Sequence, residues 1–150
     1  MLKRFVSLAA LAALTACSAR TPAPADISVV SSQSFAETEA DLRKALAARD
    51  LTLFTVVDHG AGAQSVGSDI GASKLFIFGN PKSGTPLMVA EPKLGLELPM
   101  KILLHEADGA VHLHRMDVVA TVSAYGVTDQ GERLTKISTT LDKILSEAAE

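Results

Sequence analysis

The spacing of apolar residues changes several times along the chain, and each change predicts an element. "ISVVSS" from Ile27 has the β-branched content of a strand. Phe35, Thr38, Leu42, Ala45 and Leu46 then fall at helical intervals on one face, with Glu39, Arg43 and Lys44 turned mostly away. That spacing predicts a helix ending near Arg49 and Asp50. Ser34 and Glu37 stand as a capping box at its start: the hydroxyl can accept from the Glu37 amide while the Glu37 carboxylate reaches back to the Ser34 amide. "LTLFTVVD" from Leu51 and "KLFIF" from Lys74 read as strands buried on at least one face. The glycine-rich stretch between them holds enough alanine and valine for a short helix.

Thr85 followed by Pro86 fits a helix cap with proline at the first helical position, so "PLMVAEP" predicts a short helix that Pro92 stops. "LPMKILLHEA" and "AVHLHRM" flank Asp108-Gly109, two residues that tolerate the positive φ of a primed hairpin turn. "VVATVSAYGV" has strand propensity but a position that suits a short helix. Leu134, Ile137, Leu141, Ile144, Leu145 and Ala148 then close the chain as an amphipathic helix. Strands and helices alternate first and then give way to a hairpin and terminal helices. The expected fold class is α+β, a single domain with a small sheet, a β-hairpin and helices packed on one face.

The opening residues stand apart from this pattern. Lys3 and Arg4 precede a short, alanine-rich apolar run from Phe5 to Leu14, the form of a secretory signal. Leu14-Thr15-Ala16-Cys17 resembles the lipobox of bacterial lipoproteins, which implies cleavage after residue 16 and a lipidated Cys17 as the new N-terminus. Cys17 is the chain's single cysteine, so no internal disulfide can form, and lipidation accounts for the leftover thiol. Residues 17–26, lipidated cysteine and "SARTPAPAD", read as a tether ahead of one domain at 27–150. Ser18 after the cysteine resembles lipoproteins sorted to the outer membrane, so the expected location is membrane-anchored and facing the periplasm.

Loss of Lys3 and Arg4 from 14 basic side chains leaves 12 against 17 acidic, a net charge of −5. That balance, with no basic stripe, argues against nucleic acid as a partner. It also argues against adhesion to anionic headgroups, leaving the lipid to do the anchoring. The candidate partners are the membrane through that lipid, a small ligand or envelope protein, and a second copy of the chain.

Asp58-His59, Phe78-Gly79-Asn80-Pro81-Lys82, Gly84-Thr85-Pro86-Leu87-Met88 and Leu98-Pro99 occur in one order between Phe35 and Asp117. This series resembles the bacterial family catalogued as domain of unknown function 302. The resemblance implies a small α+β domain, in secreted and cytoplasmic forms, without an established activity. Family members tend to carry aromatic residues in the hairpin, where this chain has His105, His112 and His114.

Four stretches could carry chemistry. "IFGNPKSGTPLM" lacks the P-loop order because Lys82 precedes Gly84, but free amides at the start of a Pro86 helix, with Asn80, Lys82 and Thr85 nearby, could hold a carboxylate or phosphate. "HGAGAQSVG" has Ser65 where a dinucleotide fingerprint starting at Gly60 needs its third glycine, which leaves His59 as a strand-end base or ligand beside the Asn80 loop. In the hairpin, Ala107 opposite Ala110 would set His105 against His112, with His114 two residues along the same face, a candidate site for Zn, Cu or Ni. "VGSDIG" lacks the order of a nucleophile elbow, which argues against an esterase or protease. The preferred expectation is therefore a non-catalytic domain that binds a small ligand or partner, using His59, Asn80, Lys82 and Thr85. The alternative is a metal-handling protein or metal-dependent enzyme using His59 or His105, His112 and His114.

Overall fold

A computed structural model describes residues 26–150, so the signal segment, Cys17 and the tether up to residue 25 lie outside the described residues. Asp26, assigned to the tether by its sequence, instead opens strand β1 (Asp26–Ser31). The chain continues through α1 (Phe35–Ala47), β2 (Thr52–Asp58), α2 (His59–Ser65), β3 (Ser73–Gly79) and α3 (Pro81–Ala90). A 3-10 helix (Pro92–Leu96) leads to the hairpin strands β4 (Met100–Ala107) and β5 (Ala110–Met116), then to α4 (Val118–Ala124) and α5 (Gly131–Ala149). "VVATVSAYGV" thus resolves as helix: Asp117 caps it by accepting from the Val119 and Ala120 amides at 3.0 Å, and β-branched propensity yields to that cap.

The five strands form one sheet in the order β1-β5-β4-β3-β2, every neighbouring pair antiparallel. Alternation along the strands gives the sheet two faces. Phe76, Phe78, Ile102, Leu104 and Leu113 are fully buried on one of them, where α1 contributes Leu42 and Leu46 and α5 contributes Leu141, Ile144 and Leu145. Each such side chain contributes about 1.5–3 kcal/mol through burial. The opposite face carries Val57, Leu75, Ile77, Leu103 and the three hairpin histidines, none of them buried.

Three local signals produce what they encode. Ser34 accepts from the Glu37 amide while Glu37 accepts from the Ser34 amide at 3.1 Å, so both halves of the capping box form. Asp108 and Gly109 take φ of 53° and 77°, the primed turn that a two-residue hairpin requires. His105 pairs with His112, and Ala107 with Ala110, as that turn dictates. One charged group enters the core: the Arg115 side chain is fully buried beneath α5, donating to the Met116 carbonyl, to Ser138 and to Asp142.

The helix after β3 starts earlier than its sequence suggests. Asn80 caps it, accepting from the Lys82 amide at 2.9 Å, and Pro81 is the first helical residue. Asn80-Pro81 is the same cap-then-proline signal as Thr85-Pro86, five residues upstream. Thr85 and Pro86 therefore lie inside α3.

Candidate functional site

β3 ends at Gly79, and α3 leaves that sheet end toward the first turns of α5. Between them opens a cleft of about 700 Å3, within the roughly 300–1,000 Å3 usual for small-molecule sites. Phe78 and Leu87 form a buried floor, with Leu98 and Ile137 along the walls and half-exposed Phe54 at one side. On α5, Arg133, Lys136, Ile137 and Thr140 face the cleft. Their spacing of three and four keeps them on one side of the helix, next to the core stripe of Leu134 and Leu141.

Asn80, Lys82 and Thr85 all line this cleft. The amides do not play the part expected of them. The Lys82 amide is taken by the Asn80 side chain, and the Ser83 and Gly84 amides donate to the Asn80 carbonyl at 2.9 and 3.1 Å. Pro81 has no amide hydrogen to offer. Positive character in the cleft therefore comes from side chains: Lys82, Arg133 and Lys136, with Glu132 as the acidic lining residue. None of these four forms an ion pair among the described residues.

Arg133 also closes a gap left by proline. A residue at position 86 would ordinarily donate its amide to the Lys82 carbonyl, and Pro86 cannot. Arg133 Nη1 donates to that carbonyl instead, at 3.4 Å, while its Nε donates to Gln130 at 3.2 Å. Neither Arg133 nor Lys136 was singled out from sequence, because both read as the polar flank of an amphipathic helix about fifty residues from the Lys82 loop.

His59 does not belong to this cleft. β2 and β3 are antiparallel, with Thr52 opposite Gly79 and Asp58 opposite Lys74. His59 follows the far end of β2, six residues of strand from the Asn80 end, or about 20 Å. It is the exposed first residue of α2, whose cap is Asp58, accepting from the Ala61 amide at 2.8 Å. The expected cleft between His59 and Asn80 is corrected by this pairing.

The hairpin histidines share one face, but their ring nitrogens have different partners. His105 Nε2 lies 3.0 Å from His114 Nε2, and His114 Nδ1 lies 2.8 Å from the Asp26 carboxylate. With neutral rings, His114 donates from Nδ1 to Asp26 and accepts at Nε2 from His105. His112 stacks on His105 with ring centroids 5.3 Å apart, but its Nε2 donates to the Ala107 carbonyl at 3.3 Å. Among the described residues, no group of three or more His, Cys, Asp or Glu side chains is placed to hold a metal ion.

Among the described residues, no helix is long and apolar enough to cross a membrane. Fold and cleft define a small α+β domain with an apolar, cation-rimmed pocket at one sheet end. The chain belongs to the family described as "Domain of unknown function DUF302", which it matches over residues 27–148, beyond the Phe35–Asp117 stretch where the resemblance is most legible.

The crystal structure of an uncharacterized conserved DUF302 protein from Bacillus stearothermophilus superposes with a TM-score of 0.76 at 17% identity, over 83% of this chain and 98% of that one. At that identity the likeness is one of fold. Two curated relatives are 40% identical over 84 residues, or 56% of this chain: "Fluoride-specific ion channel FluC 1" of Brucella suis biovar 1 (strain 1330), with 33% of its length matched, and "Fluoride-specific ion channel FluC 2" of Brucella melitensis biotype 1, with 31%. The match therefore spans about a third of those relatives.

Proposed function

We propose that this protein is a cell-envelope lipoprotein, anchored through Cys17 at the outer membrane and facing the periplasm, whose DUF302 domain is a non-catalytic binding domain for a small ligand. The observation that carries this reading is the cleft: an apolar floor beside three cationic side chains that have no carboxylate partner among the described residues. Water-filled apolar surface beside unpaired charge is what a complementary ligand would cover. His59 stands far from the cleft, which favours binding there over base catalysis. The matched stretch in proteins named as ion channels supports a place of work beside a membrane.

Two measurements test the reading. Metabolic labelling with a fatty acid should mark the wild-type chain and not Cys17→Ala, and an unlabelled wild type would remove the anchor. A thermal-shift ligand screen should yield compounds that stabilise the 26–150 domain but not Gly84→Leu. A Cβ at Gly84 would lie in ordinary contact with Leu98 Cδ1 at 3.7 Å, and both residues line the cleft, so a larger side chain there takes up cleft volume. Compounds that stabilise both forms equally would place the site elsewhere.

A second reading, metal handling, is favoured by the contact between His105 and His114. Two ring nitrogens each about 2.0–2.1 Å from one ion, at right angles, stand about 2.9 Å apart. The observed 3.0 Å is close to that separation, and Asp26 orients His114 from behind as metal-bound imidazoles are commonly oriented. Two protein ligands leave the ion mostly solvated, which ranks this reading second.

A further inference from the structure

We infer that the ligand of the cleft is a single-chain organic anion, with an acidic head at Lys82, Arg133 and Lys136 and an aliphatic body along Phe54, Leu98 and Ile137. The inference rests on the cleft being a binding site, as proposed above. Its first support is the contrast between site and molecule. The whole chain carries a net charge of −3, whereas the cleft lining holds three cations against Glu132 alone. A concave, low-dielectric site lined by one sign of charge concentrates ligands of the other.

The second support is the division of labour along the walls. Carboxylates elsewhere on this chain capture basic side chains: Glu39 holds both Arg43 and Lys74, Asp41 holds Lys44 and Glu147 holds Arg49. Lys82, Arg133 and Lys136 have no such partner among the described residues; Lys93, Lys101 and Lys143 lack one too, but only the first three gather in one cleft beside apolar surface. A purely polar anion would leave Phe54, Leu98 and Ile137 wetted, and a neutral hydrocarbon would gain nothing from the three cations. An amphipathic anion meets both.

A third observation sets the selectivity. The rigid donors of the α3 first turn are consumed by Asn80, so the head group meets long side chains and not a fixed nest of amides. Two lysines are compact, rotatable donors. The cleft should therefore select for charge and chain, and tolerate carboxylate or phosphate alike.

The test is calorimetric titration of the 26–150 domain with decanoate, decyl phosphate and decanol, alongside flotation with phosphatidylglycerol vesicles. Decanoate and decyl phosphate should each bind one-to-one, at least about tenfold more tightly than decanol, with added salt weakening only the anions. Lys82→Gln/Lys136→Gln, at two exposed positions, should reduce decanoate affinity about tenfold and leave decanol unchanged. Equal affinity for decanol and the anions would overturn the ligand class while leaving the cleft as a site. Binding to vesicles without binding to monomeric decanoate would overturn it in favour of a membrane surface. Silence from all three compounds and the vesicles, with the ligand screen also empty, would remove the cleft reading itself.

Discussion

Arg133 Nη1 donates to the carbonyl of Lys82, the acceptor that Pro86 leaves without its helical donor. The bond joins α5 to α3 across the mouth of the cleft. A helix-interior proline, ordinarily unfavourable, is thereby tied to a tertiary partner, and the spacing of the cleft walls is tied to both.

This coupling is open to a double-mutant cycle. Arg133→Ala should cost about 1 kcal/mol in the wild-type background, as for a typical hydrogen bond. In Pro86→Ala the position 86 amide can serve Lys82, so the same change should cost measurably less. Chemical denaturation of the four proteins gives the coupling directly. Equal costs in the two backgrounds would separate Arg133 from Pro86.

Two glycines in α2 should respond oppositely to alanine. A Cβ at Gly60 would lie 2.7 Å from the Gly71 carbonyl oxygen, whereas one at Gly62 meets nothing within 4 Å. Gly60→Ala should destabilise by about 1–3 kcal/mol through overpacking against backbone. Gly62→Ala should stabilise by about 0.5–1 kcal/mol, the ordinary gain in helix propensity. Thermal unfolding of the pair distinguishes close packing from a merely glycine-rich loop.

Glu39 gives the fold an acid limit. Burial pushes its carboxyl upward, but hydrogen bonds and charge from Lys74 and Arg43 outweigh that and hold it below its ordinary 4.5. A depressed carboxylate contributes stability above its unfolded value that is lost as pH falls through the folded one. Glu39→Gln should therefore lower the melting temperature at neutral pH, and the gap from wild type should close below about pH 4.5. A gap that stays constant down to pH 3 would mean that the ionised carboxylate is not the source.

How much of this was legible beforehand depends on the range of each signal. The Ser34–Glu37 capping box, the Asp108-Gly109 turn and the α5 stripe each encode their structure within a few residues, and each forms. The start of α3 was misplaced because Thr85-Pro86 and Asn80-Pro81 carry the same local signal. The upstream signal is the one used: Asn80 accepts from the Lys82 amide and starts the helix at Pro81. His59 was grouped with Asn80 because both end strands, whereas antiparallel pairing sends those ends to opposite sides of the sheet. Lys82 and Thr85 line the cleft, but the amides expected to act there are consumed by Asn80. The cations that complete the rim lay on a helix flank that no short motif marks.

The metal reading has a direct test of its own. Titration of Cu²⁺, Ni²⁺ and Zn²⁺ into the tag-free 26–150 domain should give no site tighter than micromolar if His105 and His114 simply share a hydrogen bond. Stoichiometric micromolar or tighter binding, lost in His105→Ala and in His114→Ala, would promote it. His112→Ala separates the two-ring arrangement from a three-ring one, since His112 points its Nε2 at the Ala107 carbonyl.

The most direct test of the binding cleft is amide chemical-shift mapping of the 26–150 domain during titration with decanoate. Shifts should cluster at Lys82, Gly84, Thr85, Arg133, Lys136 and Ile137, saturate together, and leave His59 and the His105–His114 face unmoved. Shifts centred on the histidine face or the His59 end of the sheet, with the residues between α3 and α5 unmoved, would contradict the cleft as the binding site.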